Sequence, residues 1–385
     1  MILVTTLLPL LDVLTEVGFA SAYPQLLTWY GTSLRASSVV AVGPLAAVAT
    51  GWIWGRIVRR RGLGSAVRHA VLGWSTAVLF MAAGLDSFVV MITARVLQGG
   101  FAAGFAAIPF IAATTFGHGD GNRSLRARRM SRIEVAASIG AISGPVTVGS
   151  GMILAPRVTL VVVALVPVFA LIASWRRLGA AFPNRPAGTP NPGAPPHSAR
   201  HIPRRLHRLL LPVLYASIVG LLLSALELLV PTVVEARTAR PLLGKVAAMA
   251  FEIAVVVGVI IKARLTGVSR WVPVLLSAMI ASSFVAASNL AVLVAILLFV
   301  GFGVGAQVSM GNELAARSMR GFETTGMGVY ATLRITGSFV GPLFLTIPFP
   351  LVLAVLAVVS LLALLPVLPH RRDEMQSSKY SLVER

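Results

Sequence analysis

Residues 178–208 read LGAAFPNRPAGTPNPGAPPHSARHIPRRLHR, and residues 157–175, just before them, read RVTLVVVALVPVFALIASW. The earlier run carries no charge after Arg157 and is as long as a helix needs to cross a bilayer, about 20 apolar residues at 1.5 Å rise. The later run is its opposite: rich in proline, glycine and arginine and without an apolar period, it reads as a linker. Six apolar stretches precede this boundary, at 2–22, 36–55, 66–84, 87–115, 133–153 and 157–175. Six follow it, at 209–232, 244–262, 271–287, 290–311, 325–345 and 349–368. Such runs are too long and unbroken for barrel strands, which span in about 10 alternating residues. The expected fold is an all-α membrane protein of 12 helices in two pseudo-symmetric six-helix bundles, 1–177 and 209–368, with a cytoplasmic linker at 178–208 and a cytoplasmic tail at 369–385. The first stretch is not read as a signal peptide, because no basic segment precedes it and Asp12 and Glu16 interrupt it.

Of 385 residues, 56% are hydrophobic and 12% charged, and the mean hydropathy is +0.85. A soluble domain carries about 25% charge, so a soluble enzyme or nucleic-acid binder is a poor fit. The net charge of +20 points the other way until the 33 basic residues are placed. With the N-terminus inside, 26 of them flank spans on the cytoplasmic side, five lie outside (Arg35, Arg157, Arg237, Arg240 and Lys245), and Arg95 and Arg334 fall within spans. That bias orients the chain with both termini in the cytoplasm. The basic clusters at 56–68, 123–132 and 176–208 are then topology signals and contacts to anionic lipid headgroups, not a nucleic-acid site. The absence of cysteine excludes disulfides and thiolate metal ligands. His197, His201 and His207 lack ligand spacing, so neither a metal nor a cofactor is expected. Usage of 30 Arg to 3 Lys suggests a bacterial source, hence the cytoplasmic membrane of a bacterium.

The halves echo each other. Pro24 and Pro231, and Gly51 and Gly258, are each 207 residues apart. Gly140-x3-Gly144-Pro145 in the fifth stretch is matched by Gly337-x3-Gly341-Pro342 in the eleventh. Internal repeats of this kind characterise secondary transporters.

Three local patterns carry a family resemblance that spans essentially the whole chain. Gly51-Trp-Ile-Trp-Gly55-Arg56-Ile-Val58-Arg59-Arg60-Arg61-Gly62 resembles the G-x-L-a-D-R-x-G-R-R loop of the major facilitator superfamily, with Gly55 at the aspartate and Val58 at the second glycine. Arg95-Val-Leu-Gln98-Gly99-Gly-Phe-Ala-Ala103 resembles R-x-x-Q-G-x-g-a-A, common in the 12-helix drug:proton antiporter branch. Gly140, Gly144, Pro145 and Gly149 resemble that branch's G-x-x-x-G-P motif, although close helix packing by small residues would place them there equally well. The resemblance implies gating or conformational roles for Gly51, Arg56, Gly99, Gly140, Gly144 and Pro145.

Charge within hydrocarbon costs about 2.5–3.5 kcal/mol on insertion scales, so the few charges inside spans need a reason. Asp12 and Glu16 share a helix face. Counted inward from the span ends, Glu16 and Arg95 lie roughly 10 Å below the outer surface and Asp12 near the midplane. The resemblance places the first and fourth helices on a central cavity, where these groups would bind the coupling proton or a cationic substrate; a static buried pair is the alternative. In the second half, Glu227 is the better cavity candidate, whereas Glu252 and Arg334 lie at similar depth and form either a bridge or part of the path. Glu134 and Glu313 belong to the cytoplasmic interface.

The expected function is secondary active transport by a monomer. It would export an amphipathic, drug-like or cationic small molecule in exchange for protons, with lipid or glycolipid flipping and solute uptake as competing readings. No nucleophile and base pair up within the spans, so an enzyme is not expected.

Overall fold

The structure, a computed structural model, describes residues 6–115, 123–181, 202–264, 271–285, 289–318, 337 and 340–364. Among these there is no strand. In lipid this is the natural outcome, because a helix satisfies its own backbone polar groups.

The first stretch forms two helices, α1 (Leu8–Ser21) and α2 (Tyr23–Tyr30), because Pro24 falls in the first turn of α2 and cannot donate back into α1. Gly31, at φ +76°, ends α2, and Thr32 caps α3 (Ser33–Arg61) by accepting from the Arg35 amide at 3.3 Å. A single glycine, Gly62 at φ +80°, separates α3 from α4 (Leu63–Ala83). Then come α5 (Phe88–Thr115) and α6 (Arg123–Gly144), a π-helical turn at Pro145–Gly149 that opens the fifth stretch, α7 (Ser150–Leu154) and α8 (Pro156–Ala181). The second series runs α9 (Ile202–Thr238), α10 (Pro241–Arg264), α11 (Trp271–Val285), α12 (Leu290–Ser318), a 3-10 turn at Gly341–Thr346 and α13 (Phe349–Leu362).

Two boundaries differ from expectation: α8 continues to Ala181 and α9 begins at Ile202, so both intrude on the stretch read as linker. Residues 182–201 lie outside the described residues, as do the tail and most of the eleventh stretch. Among the described residues, eight helices are long and apolar enough to cross a membrane, with α11 and α13 as shorter apolar helices. Val158, Phe169 and Ile172 on α8 and Phe299 on α12 are exposed, as side chains facing lipid would be.

Two hydrophobic cores result. One is built from α1–α5, the π-helical turn, α7 and α8 with Leu228 joining it, around Phe19, Trp74, Met91 and Phe105; the other is built from α9–α13, around Tyr215, Phe251, Leu276 and Leu356. Between lipid-exposed helices close packing, not water exclusion, drives association, and glycine makes it possible. A Cβ on Gly144 would sit 2.7 Å from the Leu14 carbonyl and 3.1 Å from the Gly18 amide, and one on Gly140 would meet the Leu10 carbonyl and, at 2.9 Å, the Leu14 amide. In the second core Gly337 faces Ser217 and Leu221, and Gly341 faces Leu221 and Ala225. Leu10 and Ser217, Leu14 and Leu221, and Gly18 and Ala225 are each 207 positions apart, so the offset read from the prolines also relates the backbones that these glycines touch.

Gly140→Val and Gly337→Val each force two backbones apart. Overpacking costs about 1–3 kcal/mol, and both variants should unfold at lower temperature in detergent. Gly55→Ala, where nothing lies within 4 Å, should melt like the wild type.

Candidate functional site

A cavity of about 280 Å³ lies between the two groups of helices. The wall from the first group includes Pro9, Asp12, Val13, Glu16 and Ala20 of α1, Gly43, Pro44 and Ala47 of α3, Phe105 and Phe110 of α5, and Ile133 and Ala137 of α6. The wall from the second group includes Tyr215, Leu223, Ser224 and Glu227 of α9, Glu252, Val255 and Val259 of α10, and Gln307, Val308 and Gly311 of α12. Four carboxyls, and among the described residues no lysine or arginine, line a largely apolar space that also holds Ser138, Tyr215, Ser224 and Gln307.

Glu16 owes its place to Arg95. The guanidinium is wholly buried and carries five N–H groups that water cannot serve. Each finds an acceptor. Nη1 donates to Glu16 Oε1 at 3.1 Å and to Gln98 Oε1 at 2.6 Å, Nη2 to Glu16 Oε2 at 3.0 Å and to the Val40 carbonyl at 3.3 Å, and Nε to the Val39 carbonyl at 3.1 Å. The Val40 carbonyl is available because Pro44, four residues on within α3, has no N–H to offer it. Gly43 leaves room for the guanidinium, whose Nη2 would lie 2.6 Å from a Cβ there, and the Phe19 ring lies 4.7 Å away on another side. Glu16 keeps its other face toward the cavity, 27% exposed. The expected meeting of Glu16 and Arg95 therefore occurs as a bidentate pair, with Asp12 one helical turn away on the same wall.

On the facing wall the Glu227 and Glu252 carboxyls are neighbours. Glu16 is close enough to Glu227 for their charges to interact across the space. The partner found for Glu252 is thus Glu227; Arg334, its expected partner, lies outside the described residues.

The motif residues are elsewhere. Gly99 packs on Gly43, its would-be Cβ 2.8 Å from the Gly43 Cα, and so brings α5 against α3 beside Arg95. Gly140 and Gly144 hold α6 to α1, Pro145 starts the π-helical turn, and Gly51 is buried on α3. Arg56 is exposed, stacked 5.2 Å from the Trp52 ring. The side chains of Glu134 and Glu313 lie outside the description.

A polar cluster between the helix groups was not anticipated. Lys245, assigned by sequence to an outer loop, is buried in α10 beyond one end of the cavity. Its ammonium donates to Glu235 Oε1 at 2.7 Å, to Gln25 Oε1 at 3.1 Å and to the Ser21 carbonyl. That carbonyl ends α1, and the Gln25 amide four residues on donates to the Ala22 carbonyl instead. Lys245 so joins α10 and α9 to the α1–α2 joint and latches this end. Its signal was present in the sequence: a lysine in the apolar run Leu242-Leu243-Gly244-Lys245-Val246-Ala247, ten residues after Glu235.

The sequence profile of the Major Facilitator Superfamily matches residues 5–342. The chain belongs to that superfamily. A solved structure that resembles it, described as a bacterial homologue of the human lysosomal transporter Spinster in an inward-facing and unoccupied conformation, superposes with a TM-score of 0.68 at 14% identity, covering 89% of this chain and 80% of that one. At that identity the likeness establishes the fold alone. A comparison with curated proteins finds no match. As a superfamily member the chain is a multi-pass membrane transporter and not an enzyme.

Two outcomes test this geometry. Arg95→Lys supplies three donors where five acceptors wait, and should lower thermal stability nearly as far as Arg95→Ala, by about 3–5 kcal/mol. Because the chain has no cysteine, a single Ala20→Cys reports on the latched end: an impermeant maleimide should label it slowly in the wild-type background and at least about tenfold faster with Lys245→Met, which leaves Glu235 buried without its cation.

Proposed function

We propose that this transporter exports amphipathic or cationic small molecules in exchange for protons, as the drug:proton antiporter pattern around Arg95 and Gly144 suggests. The observation that carries the reading is the central cavity, apolar over most of its wall and lined by Asp12, Glu16, Glu227 and Glu252 with no basic side chain among its described residues. Such a space favours a hydrophobic body with a positive charge and disfavours anions. Glu16 and Arg95 form the switch. Protonation of Glu16 removes half of a charge pair inside a low-dielectric wall, and that changes the balance between the two arrangements of the halves around the site. Gly99, Gly140 and Gly144 are the close contacts on which the helices would pivot.

The orientation follows the basic residues. Arg56 over Trp52 and Arg68 over Trp175, at 4.6 Å, pair arginine with tryptophan at one level. This combination anchors helices at a headgroup interface, here the cytoplasmic one with anionic lipids. The latch at Lys245 then faces outward and the two termini inward, in a bacterial cytoplasmic membrane, with the monomer as the working unit.

In proteoliposomes with an imposed pH gradient, adding tetraphenylphosphonium should dissipate the gradient, and Asp12→Asn/Glu16→Gln should abolish that response, with a melting curve verifying the fold because Gln at 16 removes the charge opposite Arg95. Transbilayer movement of a labelled phospholipid with no proton response to any cation would overturn the reading in favour of a flippase. Accumulation of solute in cells, in place of depletion, would overturn it in favour of uptake.

A further inference from the structure

The two cavity walls are not chemically alike. On the first the carboxylate of Glu16 is occupied by Arg95. On the second, buried acceptors stand without partners: Glu252 Oε1, Gln307 Oε1 and the Ser224 hydroxyl. Gln307 is wholly buried, and Glu252 and Ser224 are more than nine-tenths buried; all three line the cavity. An unmade hydrogen bond at a buried group is unfavourable, so each such atom in a binding protein is a place where a ligand can supply what is missing.

The Gln307 amide is fixed in the useful sense. Its Nε2 lies 3.5 Å from the Ser360 hydroxyl, whose own hydrogen goes to the Pro273 carbonyl at 3.1 Å. Ser360 can therefore only accept from Gln307, which assigns N–H to that side and leaves the carbonyl oxygen of this cavity-lining residue without a donor.

The acceptors form two levels. Glu227 and Glu252 make one, a pair of neighbouring carboxyls on the cavity wall. Gln307 and Ser224 make the other. Gly301 packs on Phe251 and Gly305 on Val255, so α12 runs beside α10 in the same direction, and Gln307 lies roughly 7 Å along the axis from Glu252, away from the latched end. Ser224, one turn before Glu227 on α9, which runs the other way, falls to the same side.

We propose that this wall is a substrate subsite for a protonated amine that carries a second hydrogen-bond donor about 7 Å away, the ammonium N–H groups donating to the Glu227–Glu252 pair and the second donor to Gln307 and Ser224. The proposal rests on the export reading and adds to it a division of labour: the first wall switches, the second recognises. It also sets a specificity rule. A quaternary ammonium offers charge but no N–H, so it leaves these acceptors unpaired, and recognition by buried hydrogen-bonding groups discriminates against such an analogue. The charged and titratable groups around the subsite are Asp12 and Glu16 on α1, with Arg95 on α5 engaged by Glu16, and Tyr215, Glu227 and Glu252 on α9 and α10.

Tryptamine, N,N,N-trimethyltryptammonium and neutral 3-ethylindole are suitable probes, measured by calorimetric titration into the purified full-length protein in detergent. Tryptamine should bind at least about tenfold tighter than the trimethyl analogue, and 3-ethylindole weakest. Gln307→Leu should remove most of the preference for tryptamine and leave the trimethyl analogue's affinity nearly unchanged. Glu252→Gln should weaken both cations, with melting curves verifying the fold of each variant. Equal affinity of the two cations for the wild type, or unchanged tryptamine affinity in both variants, would overturn the subsite while cation-driven proton flux keeps the export reading intact. If no cation binds and none moves protons, both fall together.

Discussion

A guanidinium with no water around it must be given five acceptors by the protein, and the way Arg95 obtains them organises the first group of helices. Two come from Glu16 on α1, two from the α3 carbonyls beside Pro44, and one from Gln98 a turn along its own helix. The proline break, the room at Gly43 and the approach of Gly99 are each conditions for that set to close. Three helices are thereby fixed in register by one side chain, inside the hydrocarbon where unpaired charge is costly.

The same principle, polar groups satisfied by neighbours because no solvent is present, distinguishes the other two polar sites. At Lys245 three donors meet three acceptors drawn from both groups of helices, which makes the cluster a clasp. On the wall formed by α9, α10 and α12 the count does not close, and acceptors are left over. A complete set rigidifies; an incomplete one, facing a cavity, is where a ligand has something to add.

Much of this was legible in the chain. The long apolar runs gave the helices, and the 207-residue offset of Pro24 and Pro231 pointed to repeated halves, an offset that also relates the α1 and α9 positions touched by glycines of the opposing helices. Glu16 and Arg95 could be matched by depth alone, since 1.5 Å per residue is a ruler that needs no coordinates. What depth cannot give is azimuth, the direction a side chain points around its helix axis. For that reason depth alone offers Arg334 to Glu252 as readily as Glu227; the structure sets Glu227 beside it, and Arg334 lies outside the described residues. Lys245 was missed for a different reason: charge near a span end is normally a topology signal, and only the approach of Gln25 and the Ser21 carbonyl from the other helix group shows that this one is sealed in. The π-helical turn after Pro145 had no sequence signature beyond the proline itself.

The break between α1 and α2 governs the hydration of this end of the molecule. The Ser21 carbonyl is exposed by the chain's own geometry and covered by a lysine from a different group of helices. Any movement that withdraws Lys245 uncovers, in one step, a helix-end carbonyl, the Gln25 amide oxygen and the Glu235 carboxylate, three groups that only water can then serve. Opening this end of the protein is therefore a wetting transition: the dry joint must fill before these helices part, and the activity of water enters the energetics of the opening.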